Sequence, residues 1–225
     1  MWANIHEIAI ITDPSQTAQF EKLLGDGTTF GISLTYLTQN NPNGIAESLL
    51  IARDFLNESK CALILGDNIF HGPGLGRKLS MFNEIEGAQI FGYNVKNPQA
   101  YGVATLDSSG KILELNEKPN SSSSKIAIPG IYFFDEQASM YAQLLTPSSR
   151  GELEILDLLR IYLEKKSLNL EMLPRGTAWF DSGTFEDLSD ASSYVRLMQE
   201  RSGERVGDPR EVALYFGLNH DSHVI

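Results

Sequence analysis

Along the first half of the chain the apolar residues fall into short unbroken runs rather than alternating ones. Ile8-Ala9-Ile10-Ile11, Ala62-Leu63-Ile64-Leu65 and Gln89-Ile90-Phe91-Gly92-Tyr93 each have the length of a strand. Continuous hydrophobicity over that length predicts strands covered on both faces. Between the runs the spacing becomes helical. Pro14 to Leu24 carries that period, with Ser15 as the expected cap and Gly25-Asp26-Gly27 as the stop. A second helix is expected over Gly44 to Leu56. The alternation of strand and helix predicts βαβ units and an α/β fold.

From Gly102 the texture changes. Val103-Ala104-Thr105-Leu106, a turn at Asp107-Ser108-Ser109-Gly110 and Lys111-Ile112-Leu113-Glu114-Leu115 read as a hairpin, so the sheet is expected to be mixed. Ser121 to Ser124 reads as a flexible surface loop. Past Arg150 a helix is expected with Glu152 and Glu154 in its first turn and an apolar face of Leu156, Leu158, Leu159, Ile161 and Tyr162. Another is expected from Phe185 to about Glu200, and the tail after Gly217 is expected to fray. No internal repeat is present, and residues 1–225 read as one domain.

Charge narrows the partners. With 29 acidic and 18 basic side chains the formal charge is -11, which repels a nucleic-acid backbone and argues against nucleic acid as a partner. Anionic phosphates are then handled only where cations or a divalent metal are concentrated locally. The single cysteine, Cys61, sits in an apolar run, which reads as a buried structural thiol in a reducing compartment. No stretch has the length of a membrane span, and Met1 to His6 lacks the basic start of a signal peptide, so no membrane association and a cytoplasmic location are expected.

Against that acidic background a few positions carry candidate chemistry. Leu63-Ile64-Leu65-Gly66-Asp67-Asn68 is an apolar strand ending in a carboxylate and an amide, the place where ligands bind in parallel α/β sheets. Ala178-Trp179-Phe180-Asp181-Ser182-Gly183-Thr184 repeats the pattern. Two such carboxylates suit magnesium, which takes one or two and fills its octahedron with water and phosphate oxygens. Capping leaves an alternative open for each: a turn for Asp67, and the helix after Thr184 for Asp181. Lys118, held extended by Pro119, is a candidate phosphate cation beside Glu117, although an adjacent pair of opposite charges also suits a solvated surface. Arg150 offers a bidentate fork or is a plain loop arginine. Tyr101-Gly102-Val103 supplies an aromatic wall and a close backbone. Gln39-Asn40-Asn41-Pro42-Asn43-Gly44 is either an ordinary turn or a loop presenting a helix amino end to an anion or a base. His71 lies near but has no nucleophile to pair with, and no histidine is assigned a catalytic role.

Gly66-Asp67-Asn68-Ile69-Phe70, Tyr101-Gly102-Val103, Glu117-Lys118-Pro119, Arg150-Gly151-Glu152-Leu153-Glu154 and Trp179-Phe180-Asp181-Ser182-Gly183-Thr184 stand together in an order that resembles the glucose-1-phosphate thymidylyltransferases, from about residue 1 to Gly217. The resemblance implies a Rossmann-like mixed sheet flanked by helices. It also implies transfer of a thymidylyl group from dTTP to glucose 1-phosphate, with Mg2+ as cofactor, dTDP-glucose and pyrophosphate as products, and a place in deoxysugar synthesis. By the same resemblance Asp67 and Asp181 hold the metal, Lys118 the sugar phosphate and Arg150 phosphate oxygens. Asn68, Tyr101, Gly102, Glu117 and Trp179 line the sugar phosphate, Gln39 and Gly44 read the thymine base, and the chain forms a homo-oligomer, a tetramer in the family. Two departures stand out. The opening strand and Gly-rich loop have no counterpart, so the domain is expected to be incomplete at the N-terminus, with two strand edges exposed where an interior strand would lie. Leu156 also stands where a threonine is expected. The competing reading is a non-catalytic sugar-phosphate-binding chain or a subunit of a full-length homologue.

Overall fold

The computed structural model describes residues 1–218, so the expected fraying of the tail lies, for residues 219–225, outside the described residues. Strand β1 (Glu7–Thr12) leads through helix α1 (Pro14–Leu24) to β2 (Ser33–Thr38), and these two strands pair in parallel. Helices α2 (Glu47–Ile51) and α3 (Arg53–Leu56) precede β3 (Cys61–Ile64), which turns at once into β4 (Asn68–His71). After α4 (Leu75–Ser80) come β5 (Ala88–Asn94), the hairpin of β6 (Gly102–Leu106) and β7 (Ile112–Glu117), β8 (Ile126–Ala127) and β9 (Ile131–Phe134). The chain continues with α5 (Ala138–Ala142), α6 (Ile155–Glu164), β10 (Leu168–Met172), β11 (Ala178–Asp181), α7 (Phe185–Ser202) and α8 (Pro209–Tyr215).

Seven strands form a mixed sheet in the order β3-β9-β5-β8-β6-β7, with β10 paired in parallel to β5. A separate antiparallel ribbon joins β11 to β4. The unbroken apolar run of β5 has the cause its sequence suggested, because successive side chains enter opposite cores. Ile90, Tyr132 and Phe134 pack with Leu156, Leu158, Leu159 and Tyr162 of α6 on one face. Phe91, Ile131 and Phe133 pack with Leu75 and Leu173 on the other. The architecture is thus the expected α/β mixed sheet with flanking helices. Among the described residues no helix is long and apolar enough to cross a membrane.

Several local expectations change. Asp13, not Ser15, caps α1, accepting from the Ser15 amide at 2.8 Å. The helix expected over Gly44 to Leu56 is broken at Ala52 and starts only at Glu47. Glu154 is the residue before α6 rather than part of its first turn, and Asp157 is the acidic residue there. The serine loop is tied to the sheet by Ser124, whose hydroxyl donates to the Ala104 carbonyl at 2.6 Å. Finally, β1 and β3 are not covered on both faces. No residue of β1 is buried, Ile64 at the end of β3 is 56% exposed, and β1 pairs only with β2.

Candidate active site

The floor of the site is where β3, β4, β9 and β11 meet. The Leu65 amide donates to the Gly130 carbonyl at 2.9 Å, which carries the chain past β9 before Gly66 turns it back. Asp67 sits in that turn, and its carbonyl accepts from the Ser182 amide at 2.9 Å. Antiparallel register sets Asp181 opposite Asn68. The two strand-end carboxylates, over a hundred residues apart in sequence, are therefore held on neighbouring backbones.

Asn68 organises this floor. Its carbonyl oxygen accepts from the Gly130 amide at 3.1 Å and from the Trp179 indole at 2.7 Å, and its amide donates to Asp67 at 2.7 Å. The capping alternative for Asp181 falls, because Thr184 caps α7 by accepting from the Asp187 amide at 3.1 Å. Burial pushes the Asp181 carboxyl above its ordinary range. The charges of Asp67 and Asp187 add to that, against the Gly183 amide and Lys118, which favour ionisation. Ser182 places a buried hydroxyl beside this pair with no partner among the described residues.

The sugar-phosphate candidates come in along β6 and β7. Register pairs Gly102 with Glu117, and the Ile128 amide donates to the Gly102 carbonyl at 2.8 Å, which ties this pair to the segment leading to Gly130 and Asn68. A side chain at 102 would sit 3.2 Å from Leu156 and 3.5 Å from the Glu117 carboxylate, so glycine keeps room for both. Leu156 is 2% exposed and belongs to the core, which accounts for an apolar residue there. Burial raises the Glu117 carboxyl above its ordinary range. Glu154 adds to that, while Lys118, Arg150 and Arg160 counter it.

Lys118 corrects one expectation. It is not extended but left-handed, with φ +38°, and its amide donates to the Tyr101 carbonyl at 3.1 Å. That cross-strand bond overrides the bias imposed by Pro119. Tyr101 in turn lies against Trp179, ring centroids 5.0 Å apart, and Tyr93 meets Trp179 edge-on at 5.4 Å. Trp179 is thus an aromatic wall whose one donor is already used on Asn68.

Arg150 is fixed by acidic residues. It donates to both Glu154 oxygens, at 2.9 and 2.8 Å, and lies 3.6 Å from Glu152 and 3.8 Å from Glu117. Burial works against Glu154 ionisation, but hydrogen bonds from Arg150 and Ser148 outweigh it and hold this carboxyl below its usual range. Gln39 and Gly44 belong to a loop beside the Arg150 segment. Gln39 donates to the Gly44 carbonyl at 3.1 Å and to Glu47 at 2.7 Å. The Leu153 amide donates to the Asn43 carbonyl at 2.6 Å, so this loop backs onto the Arg150 loop rather than onto the carboxylates.

Sequence reasoning missed three residues. Tyr132 packs in the core from β9, and burial, then the charges of Glu117, Asp181 and Asp67, pushes its phenol up. Glu154 anchors Arg150 from the residue before α6, and because the segment between them is not helical, their spacing of four carried no signal. Ser182 carried no signal beyond its neighbour. As expected, Cys61 is structural: burial, then Asp135, pushes its thiol up to about 12, which leaves it unreactive at neutral pH. His71 is engaged by Tyr194 at 2.6 Å and Glu204 at 2.9 Å, with no nucleophile.

A mixed sheet between two helical layers, with paired carboxylates at strand ends and cations beside them, defines a nucleotidyltransferase-type domain. The family model described as nucleotidyl transferase matches residues 1–196, and the chain belongs to that family. It is 46% identical over 222 residues to the glucose-1-phosphate thymidylyltransferase of Mycolicibacterium smegmatis, covering 99% of this chain and 77% of that protein. It is 46% identical to the Xanthomonas campestris enzyme of the same name, covering 95% and 72%. Among solved structures, one assigned as a glucose-1-phosphate thymidylyltransferase from Bacillus anthracis, in complex with sucrose, superimposes with a TM-score of 0.76 at 36% identity, over 84% of this chain and 76% of that one. A UDP-glucose pyrophosphorylase complexed with UDP-glucose shares the fold, with a TM-score of 0.74 at 20% identity over 86% and 82%.

Proposed function

We propose that the chain transfers a thymidylyl group from dTTP to glucose 1-phosphate, releasing pyrophosphate, with magnesium held by Asp67 and Asp181. The reading rests on the juxtaposition of those two carboxylates in a floor fixed by Asn68 and Trp179. The names of the relatives supply the substrates.

The donor set fits a hard divalent cation. Two carboxylates are the protein share magnesium ordinarily takes, and the burial and then the Asp67 charge that raise the Asp181 carboxyl are costs a bound cation would offset. When bound, magnesium supplies charge neutralisation on the phosphate oxygens. The chain's own residues orient and clamp. An oxygen of the glucose phosphate forms a bond to the α-phosphorus of dTTP while the bond to the bridging oxygen of the β-phosphate breaks, and pyrophosphate leaves with that electron pair. The attacking oxygen is already anionic, so no general base is required, and positioning with electrostatic stabilisation suffices. Lys118 meets the sugar phosphate, and Arg150 exchanges part of its carboxylate shell for phosphate oxygens. Glu117 accepts from sugar hydroxyls, with Asn68, Tyr101, Gly102 and Trp179 around them, and Gln39 with Gly44 faces the base. The homo-oligomer implied by the family resemblance belongs to the same proposal.

Pyrophosphate release from the purified chain with dTTP, glucose 1-phosphate and magnesium is the test. Release that requires all three supports the proposal. Glucose 1-phosphate binding without release would support a non-catalytic binding role instead.

A further inference from the structure

Strand β7 ends the main sheet, with β6 as its inner neighbour. Lys118, one residue past the end of β7, donates its amide to the Tyr101 carbonyl, so residues 118 and 101 form a hydrogen-bonded pair. Pairs alternate along an antiparallel ladder, which makes Glu117 with Gly102, and Leu115 with Ala104, pairs whose carbonyls turn away from each other. On β6 this is seen directly: the Gly102 carbonyl accepts from the Ile128 amide and the Ala104 carbonyl from the Ser124 hydroxyl. On β7 the corresponding carbonyls of Leu115 and Glu117 face the open side of the sheet, where no strand lies among the described residues.

Arg160 of α6 takes the first of them. Its Nη2 donates to the Leu115 carbonyl at 2.8 Å, while its Nη1 pairs with Asp157 one turn earlier in the helix. One planar guanidinium therefore spans from helix to strand edge, with its orientation set by the carboxylate. The Leu115 side chain is itself buried in the core that includes Leu156 and Leu159 of α6. Helix and strand are thus joined through both the side chain and the main chain of one residue, just ahead of Glu117 and Lys118.

We propose that Arg160 is a positioning residue for the sugar phosphate: its bond to Leu115 fixes the end of an edge strand, and with it the carboxylate of Glu117 and the ammonium of Lys118. The inference rests on the assignment of those two groups to glucose 1-phosphate made above. Charge gives Arg160 a second part in the same site. Facing Glu117 are Lys118 on its own strand, Arg150 and Glu154 from the segment before α6, Arg160 with its partner Asp157, and the phenol of Tyr132. Of the three cations that favour ionisation of Glu117, Arg160 has the smallest influence in the ligand-free chain. Lys118 and Arg150, however, are the two that turn to phosphate oxygens when substrate binds. Arg160 is committed to Asp157 and Leu115, so it is the cation left to Glu117 in the occupied site.

Two variants test this. Arg160→Met keeps the length of the stem and removes the charge and the donors, and Arg160→Lys keeps the charge with a single ammonium. In the ligand-free chain Arg160→Met is expected to speed amide exchange at Asn116 and Lys118 about tenfold, as a strand end frays, and to leave Phe91 and Phe133 unchanged. Its glucose 1-phosphate affinity is expected to fall about tenfold, with magnesium-dependent dTTP affinity within about twofold of the parent and part of the loss recovered by Arg160→Lys. Adding Arg160→Met to Glu117→Gln should cost less sugar affinity than adding it to the parent, because both act on one group. Unchanged exchange at Asn116 and Lys118 would overturn the inference. So would equal losses of sugar-phosphate and nucleotide affinity, which would make Arg160 a general stabiliser of the fold. A parent chain that binds dTTP but no glucose 1-phosphate would sink the substrate reading instead, and the exchange rates would still decide whether Arg160 holds the strand end.

Discussion

The indole of Trp179 on β11 donates to the side-chain oxygen of Asn68 on β4 at 2.7 Å. With the Gly130 amide on the same oxygen, this bond decides which way the Asn68 amide faces, and its nitrogen is left to hold Asp67 at 2.7 Å. An aromatic residue thereby aims a carboxylate it does not touch.

Trp179→Phe keeps the ring and removes the donor. Magnesium-dependent nucleotide binding is expected to weaken by about 10- to 100-fold, the usual effect of losing a group that orients a metal ligand. Calorimetric titration with and without magnesium measures it. A loss of glucose 1-phosphate affinity with the magnesium response intact would instead make Trp179 a sugar wall only.

Asp181→Asn separates stability from function. The Asp181 carboxyl is raised above its ordinary 3.8 by burial and by Asp67, so its ionisation disfavours the folded state. Its contribution to stability is full below the unfolded pKa and is lost as pH rises through the folded one. At neutral pH without metal the amide variant is therefore expected to melt at a higher temperature than the parent. It should fail to gain stability when magnesium is added, and its turnover should fall on the order of 100-fold. Thermal unfolding at pH 7, with and without magnesium, checks both halves.

The carboxylates were legible because a strand-end Asp after an apolar run is delivered to the sheet's edge whatever the rest of the chain does. The conformation of Lys118 was not. The local rule for a residue before proline says extended, but the cross-strand bond to Tyr101 holds it at φ +38°. Nor was the late start of α2, where the helical period is present but Gly44 is taken up by packing against Leu153. Tyr132 was hidden for the opposite reason. It packs as core and differs from the two phenylalanines that follow it in β9 only by a hydroxyl. Local pattern found the groups at strand ends, and long-range contacts set the rest.

Gly44 offers a test of the loop beside the Arg150 segment. Its φ is +104°, and a side chain there would come within 2.4 Å of the Leu153 carbonyl and 2.6 Å of its amide nitrogen, both backbone atoms. Gly44→Ala is expected to destabilise the fold by at least about 1–2 kcal/mol from the left-handed conformation alone. Because Leu153 adjoins Glu154, which anchors Arg150, turnover should fall as well. Chemical denaturation with turnover measured on the same variant tests the coupling. Unchanged stability would mean that the two loops do not press on each other.

The pH dependence of sugar binding turns on Glu117. Burial raises its carboxyl above the ordinary 4.5, with Glu154 adding to that and the cations Lys118, Arg150 and Arg160 opposing it. In the ligand-free chain the sign follows that of Asp181: the stability contributed by Glu117 is full below 4.5 and lost as pH rises through the raised value. Sugar binding has the opposite sign, because a carboxylate accepts two hydroxyl donors where the protonated acid gives up one of those positions. Glucose 1-phosphate affinity is therefore expected to fall as pH is lowered, with its midpoint above 4.5. Glu117→Gln should remove the part of that dependence that the phosphate monoester's own titration at about pH 6 does not supply, and weaken binding at neutral pH by about 10-fold, the loss of one charge-assisted hydrogen bond. Titrations between pH 4 and pH 8 on parent and variant decide it, and identical pH profiles for the two would move the titrating group elsewhere.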